Sequence, residues 1–378
     1  MANTLTALAP VLYSAARVVP RELVGMVGAV KTDFDAKGVA KGDTVTIGVA
    51  PVQTVADVTP AQTFTVGTDR TATSKVLTLN QFKETSFNLT PEQERSLLNS
   101  GIAQDFLQQT IQQSIRALVN SMETYVSTVG YKAASRSYGT AGTTPFGSNF
   151  NEIANLRKIL DDNGSPVMGD RSLVINTAAG ANMRNLSSLY QVYSRGSDAT
   201  LAQGVLLDIE GFKIRESAQI QTPTKGTGAS YTTNNAGYAV GATAITLITG
   251  SGTILAGDTI TISGDTNKYV VATALTGGVV TIQEPGLLQA IPASATAVTV
   301  GNTAAQNLAF DRNAIVLVAR PALQPEGALA EQMVISDPVT GLSFLLLRVP
   351  GNAITSWYLR VVYDSFAPNP YAIATLLG

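Results

Sequence analysis

The stretch IAQDFLQQTIQQSIRALVNSMETYVSTVGYKAA, Ile102 to Ala134, contains no proline and carries its apolar residues at helical intervals. Ile102, Phe106, Ile111, Ile115, Leu118, Met122, Val126 and Val129 recur at steps of three to five residues, mostly three or four. That spacing draws one apolar stripe along a helix. At the usual rise, about thirty residues make a rod of roughly 45 Å, long enough to cross a subunit as a spine. Gln104, Gln108, Gln112, Gln113 and Asn120 fill much of the remaining surface. The pattern alone also fits a long core helix of another α/β domain, so its neighbours decide.

Upstream, Thr90, Pro91 and Gln93 form a helix start. Thr90 is a good N-cap, Pro91 suits the first helical position, and Gln93 completes a capping box. This short helix is expected to end near Asn99 and Gly101. Before it, Asp43 to Pro51 alternates with period two and places Val45, Ile47 and Val49 on one strand face. Thr63 to Val66 and Lys75 to Leu79 continue the pattern across a polar turn containing Asp69 and Arg70. These pieces read as an extended excursion with little core of its own. The first thirty residues, broken by Pro10 and Pro20, read as a short helix or an arm lying on another surface.

Downstream, a Gly/Ser/Thr-rich connection leads to a helix from Asn151 to Leu160, ended by Asp161-Asp162-Asn163-Gly164. A strand from Ser172 to Ile175, a helix around Ala178 to Leu189 and a strand with Phe212 and Ile214 follow. From Pro223 to Gly301 charge nearly vanishes. Five short alternating runs (244–248, 259–262, 269–272, 279–282 and 297–300) are separated by Gly/Asp turns, which predicts a small antiparallel sandwich or barrel. A linker at 224–235 is expected to tether it loosely. The mixed pattern resumes with strands at 314–319, 342–349 and 357–362.

Composition narrows the chemistry. The 378 residues contain no His and no Cys, which removes the commonest general bases, soft nucleophiles and transition-metal ligands and any disulfide. No catalytic, cofactor-binding or metal site is predicted. Asp161-Asp162-Asn163-Gly164 lacks the oxygen spacing and closing glutamate of a calcium loop. Gly226-Thr227-Gly228 and Gly250-Ser251-Gly252 lack the helix and lysine of a phosphate loop. Charged residues are 14% and the formal net charge is −2, a low charge density that favours a subunit hiding surface against its own copies. Arg17, Arg21 and Lys31 are three scattered cations, read as a solvated face. No basic, aromatic-interleaved stripe points to direct nucleic-acid recognition. No uninterrupted apolar segment is long enough to span a membrane, and the start lacks a signal peptide's shape.

The order of these elements resembles the major capsid proteins of tailed bacteriophages, in the branch with an extra β-rich domain inserted late in the chain. The resemblance is carried by Asp43-Thr44-Val45-Thr46-Ile47, by Gly211-Phe212-Lys213-Ile214, and by Asn307 to Ile315 with Ala319-Arg320-Pro321. Gly341-Leu342-Ser343 and Tyr363-Asp364 complete the set. It implies an α+β fold of the tailed-phage and herpesvirus capsid type, with an N-terminal arm (1–42) and an extended loop (43–87). A spine helix with peripheral domain (88–149) and a first axial part (150–224) would follow, then an inserted β-barrel-like domain (225–306). The axial remainder and peripheral closing strands would occupy 307–378. It further implies hexamers and pentamers of one subunit closing an icosahedral phage head around double-stranded DNA, in a bacterial cytoplasm. Scaffolding and portal proteins would be partners; a membrane, a cofactor and enzymatic activity would not be involved. Asp69, Arg70 and Lys75 are then expected at contacts between subunits, and Ile102, Phe106, Ile111, Ile115, Leu118 and Met122 in the core beneath the spine. Some relatives cross-link through a Lys and an Asn, but no motif here identifies such a pair. A nanocompartment shell shares the fold and is the nearest alternative; a Ser-Lys or carboxylate hydrolase is the enzymatic one.

Overall fold

The computed structural model describes residues 21–34, 38–49, 73–99, 101, 103–167, 170–186, 208–323 and 331–378. The capping box forms in full: the Gln93 amide donates to Thr90 Oγ1 (3.2 Å) and the Thr90 amide to Gln93 Oε1 (3.1 Å). It starts α1 (Pro91–Asn99), and Gly101, at φ +72°, turns the chain into α2 (Ala103–Ala133), the spine.

The spine lies on a six-stranded sheet. Its central strand is β18 (Thr355–Phe366), flanked on one edge by β4 (Gln81–Leu89). On the other edge β15 (Val316–Pro321) and β17 (Ser343–Pro350) lie end to end, because they pair with successive halves of β18. Strand β1 (Lys31–Phe34) runs parallel beside β15, and β16 (Glu331–Ser336) beside β17. Phe344, Leu346, Trp357, Leu359 and Val361 share one buried cluster with Leu107, Ile111, Ile115, Leu118, Val119 and Met122 of the spine. On the opposite face Leu345, Leu347, Val316, Val318 and Val362 meet Leu77 and Leu79. Alternation sends successive residues to opposite faces, so one strand serves two cores.

A second, mixed sheet joins β5 (Arg136–Gly139), β19 (Ile373–Leu377), β14 (Gln306–Asp311), β6 (Arg171–Ile175) and β7 (Lys213–Glu216) in that order. Helices α3 (Asn151–Asp162) and α4 (Thr177–Arg184) share one buried cluster with it, through Ile153, Leu156, Leu160 and Met183. Strand β5 follows the spine directly yet belongs to this sheet, through its parallel pairing with β19.

Six short strands close a ring: β8 (Tyr231–Thr233), β9 (Ala244–Ile248), β10 (Thr259–Ile262), β11 (Lys268–Thr276), β12 (Val279–Ile282) and β13 (Ala297–Val300). The order β10-β13-β8-β9-β12-β11 returns to β10, with every pairing antiparallel. Ile245, Leu247, Ile260, Ile262, Tyr269, Val271, Val280, Ile282, Val298 and Val300 fill the inside. Strand β8 lies within the stretch expected to be a linker; three residues are too few for a period to show, yet they close the ring.

The ring is also not loosely tethered. Strand β11 pairs with β5 (Tyr269 with Arg136, Lys268 with Ser137), and Gln283 Nε2 donates to the Lys132 carbonyl at the end of the spine (2.7 Å). Gly257, at φ +94°, lets the ring approach Tyr131: a Cβ there would stand 2.4 Å from the aromatic ring. Where the chain enters and leaves the ring, the Gln306 amide donates to the Gln221 carbonyl (2.9 Å) and the Lys225 amide to Thr303 Oγ1 (3.2 Å).

The segment 21–34 is not an arm on another surface. Met26, Val27, Ala29 and Val30 are buried in the subunit's own largest core, and β1 extends its sheet.

Candidate assembly surfaces

The extended hairpin pairs β2 (Thr44–Val49) with β3 (Thr73–Thr78). Its base has a foothold, since Leu77 and Leu79 are buried and Val45 and Ile47 half-buried against the six-stranded sheet. Beyond that base two strands alone bury little, and Val76 is 58% exposed. A two-stranded hairpin is marginal without further cover. Lys75 sits on β3, where its ammonium donates to the Pro368 carbonyl (2.9 Å). Asp69, Arg70 and the expected strand at 63–66 lie outside the described residues, as does Ile102.

Ile111, Ile115, Leu118 and Met122 are buried beneath the spine; Phe106 is 42% exposed. The place assigned to Phe106 in the core belongs to Leu107. Leu107, Ile111, Ile115, Leu118, Met122 and Val126 keep strict steps of three and four. Phe106 lies one residue, about 100° of helix, off that line. Phe106 therefore joins the exposed Leu98 of α1, a helix with no buried residue, as apolar surface near the start of the spine. Gln108, expected on the polar surface of the spine, is buried.

Three carboxylates fasten the N-terminal segment to its own subunit. Glu22 accepts from Arg116 Nε (2.6 Å) and Asn120 Nδ2 (2.9 Å) of the spine, and these bonds lower its pKa to about 2. Asp337 accepts a bidentate pair from Arg21 (2.6 and 2.9 Å) and a bond from the Thr340 hydroxyl. Burial raises the Asp337 pKa, but the Arg21 and Thr340 bonds outweigh it and the net shift is downward. Glu123 has no exposed surface. It accepts from the amides of Val27 (2.7 Å) and Met26 (3.0 Å) and from the Ser217 hydroxyl (2.9 Å). Burial pushes its pKa up against those donors. Sequence reasoning passed over Glu22, Arg116 and Glu123. Only Glu123 left a signal, a lone acid between Met122 and Val126 of the apolar stripe.

Among the described residues no group of three or more Asp or Glu is placed to hold a metal ion, and no helix is long and apolar enough to cross a membrane.

No protein-family model matches the chain, and no curated protein matches its sequence. Solved structures do match its fold. A capsid structure of cyanophage P-SCSP1u superimposes with a TM-score of 0.52 at 11% identity, covering 99% of this chain and 92% of that one. A structure from Mycobacterium phage Che8 gives 0.48 at 15% identity over 98% and 91%. The capsid of a native GTA particle gives 0.45 at 10% identity over 100% and 93%. The cyanophage likeness shows that this chain has the fold of a phage capsid protein.

Proposed function

We propose that the chain is a major capsid protein, the shell subunit of a phage head. The observation that carries this is the match of nearly the whole chain, both sheets and the spine included, to the cyanophage capsid structure. The subunit would close an icosahedral shell as hexamers and pentamers around double-stranded DNA, assembled in the bacterial host's cytoplasm with scaffolding and portal proteins. In this reading the hairpin of β2 and β3, narrower than the stretch 43–87 because β4 belongs to the subunit's own sheet, reaches over a neighbouring copy, which supplies the cover that the hairpin lacks. The mixed sheet with α3 and α4 is the axial part, and the six-stranded sheet with the spine is the peripheral part. Residues 225–306 are an inserted domain that steadies the subunit, consistent with its contacts to Tyr131, Lys132 and Arg136.

Expression of the full chain followed by electron microscopy tests the proposal. Closed shells of uniform diameter are expected; a protein that stays monomeric at high concentration, alone and with host lysate, refutes it. Hydrogen exchange tests the loop assignment: residues 73–78 should be weakly protected in subunits and strongly protected in shells.

A further inference from the structure

A cavity of about 290 Å3 opens in the seam between the ring and the mixed sheet. It exists because two paired strands part there. Strand β11 begins at Lys268, opposite Ser137, whereas β5 runs on beside β19 through Tyr138 and Gly139. The ring's chain turns away at this point, and Asp265 fixes the turn by accepting from the Asn267 amide (2.8 Å) and the Tyr269 hydroxyl (2.5 Å). The opposite wall is the loop between β5 and α3. Its Thr143 amide donates to the Thr140 carbonyl (3.1 Å), and Asn182 Nδ2 of α4 donates to the Pro145 carbonyl (3.1 Å). Hydrogen bonds hold both walls, so the cavity is preformed.

Two opposite charges, Glu152 and Lys268, line the cavity, and among the described residues neither forms an ion pair. Glu152 stands in the first turn of α3, and its Oε2 is buried without a hydrogen-bond partner. Such an orphaned oxygen calls for an explanation in a folded protein. Lys268 spends one of its three donors on the Gly139 carbonyl and keeps the others. No other charged side chain lines the cavity among the described residues, so its wall has no net charge. A cation would meet Lys268 there, and an anion Glu152. Thr143 and Thr266 add hydroxyls from the two walls, while Tyr138, Pro145 and Leu377 give the cavity an apolar side.

We propose that this cavity binds a single neutral sugar unit. A hydroxyl both donates and accepts, so neighbouring hydroxyls of one sugar ring donate to Glu152 and accept from Lys268 without bringing a charge that either would repel. The C–H face of the same ring suits the apolar side at Tyr138, Pro145 and Leu377. The volume stands at the small end of ligand pockets, which run to about 300–1,000 Å3, and so fits one ring and not a chain of them. The inference goes beyond the capsid reading and does not rest on it.

Binding of the full-length chain to the methyl glycosides of glucose, galactose, mannose and N-acetylglucosamine is measured by saturation-transfer NMR and isothermal titration calorimetry. At least one of the four should bind. Glu152→Gln keeps the shape of the side chain and removes its charge, and should weaken that binding about tenfold, the difference between a charged and a neutral acceptor. Thr143→Trp changes an exposed position, fills the cavity and should abolish binding; it also guards against misfolding of the Glu152 variant. Lys158→Gln, on α3 but off the cavity wall, should leave the affinity unchanged. Binding of none of the four glycosides overturns the proposal, as does equal affinity in wild type and both cavity variants, or equal loss in the Lys158 control. Binding of glycine or of 1,4-diaminobutane in place of the glycosides also overturns it, in favour of a zwitterion or a cation. These titrations need only the folded subunit, so absence of shells in electron microscopy refutes the capsid reading alone.

Discussion

Replacing Glu123 by Gln changes one atom of a side chain with no exposed surface, which makes it a sharp test of how the N-terminal segment is held. The carboxylate accepts three bonds: Val27 N–H at 2.7 Å on one oxygen, and Met26 N–H at 3.0 Å and Ser217 Oγ at 2.9 Å on the other. A glutamine keeps one acceptor and places an NH2 group against a backbone N–H. At least one buried amide loses its partner, at about 1–3 kcal/mol, and the surviving bonds lose their charge assistance. Relief of the buried charge, visible in the raised pKa, offsets part of this. A net loss of about 1–3 kcal/mol is expected, read from the urea midpoint of the unassembled chain. Hydrogen exchange at Met26 and Val27 should accelerate while amides of β18 keep their protection. A variant as stable as wild type, with unchanged exchange at Met26 and Val27, refutes the latch. Because burial raises its folded pKa, ionisation takes back part of what Glu123 contributes to folding. Its contribution to stability is full below the unfolded carboxylate value and is lost as pH rises through the folded one. The difference between wild-type and Glu123→Gln stability should therefore shrink as pH rises through that window.

Glu22 carries the opposite sign: with its pKa depressed to about 2, its stabilisation is present above the ordinary carboxylate value of 4.5 and disappears as pH falls toward 2. Melting curves of wild type and Glu22→Gln should converge over that interval, and parallel curves would show that the Arg116 pair contributes nothing. Ile115→Asp buries an unpaired charge and should cost several kcal/mol, leaving little folded subunit, whereas Phe106→Ser should leave the subunit's urea midpoint nearly unchanged and lower shell yield in light scattering. Gly257→Val drives a side chain into Tyr131 at a positive φ and should free the ring from the spine, seen as faster exchange at Arg136 and Ser137. Residues 225–306 expressed alone should give the far-ultraviolet circular dichroism of a β-protein; a random-coil spectrum would show that the ring depends on β5.

Local chemistry settled a good part of this molecule. Thr90, Pro91 and Gln93 start α1 because the groups that satisfy the free amides of a helix start are its own neighbours. The spine shows in its period, and five ring strands show in Thr/Val alternation between Gly/Asp turns, since each signal lies within a dozen residues. The resemblance to capsid proteins rested on the order of such pieces, and it agrees with the fold. Where elements go was a different matter. Strand β8 has three residues and exists only because β9 and β13 stand on either side of it. Strand β5 leaves the spine's sheet for β19, 234 residues away or more, and its edge is then what holds the ring. Phe106 and Leu107 are both apolar, and only the sheet beneath the helix decides which one is buried. Glu123, its amide donors near residue 26 and Ser217 come from three distant segments. Charge and hydrogen bonding act over a few ångströms in space, so groups far apart in sequence become a latch or a surface only when the chain has folded around them.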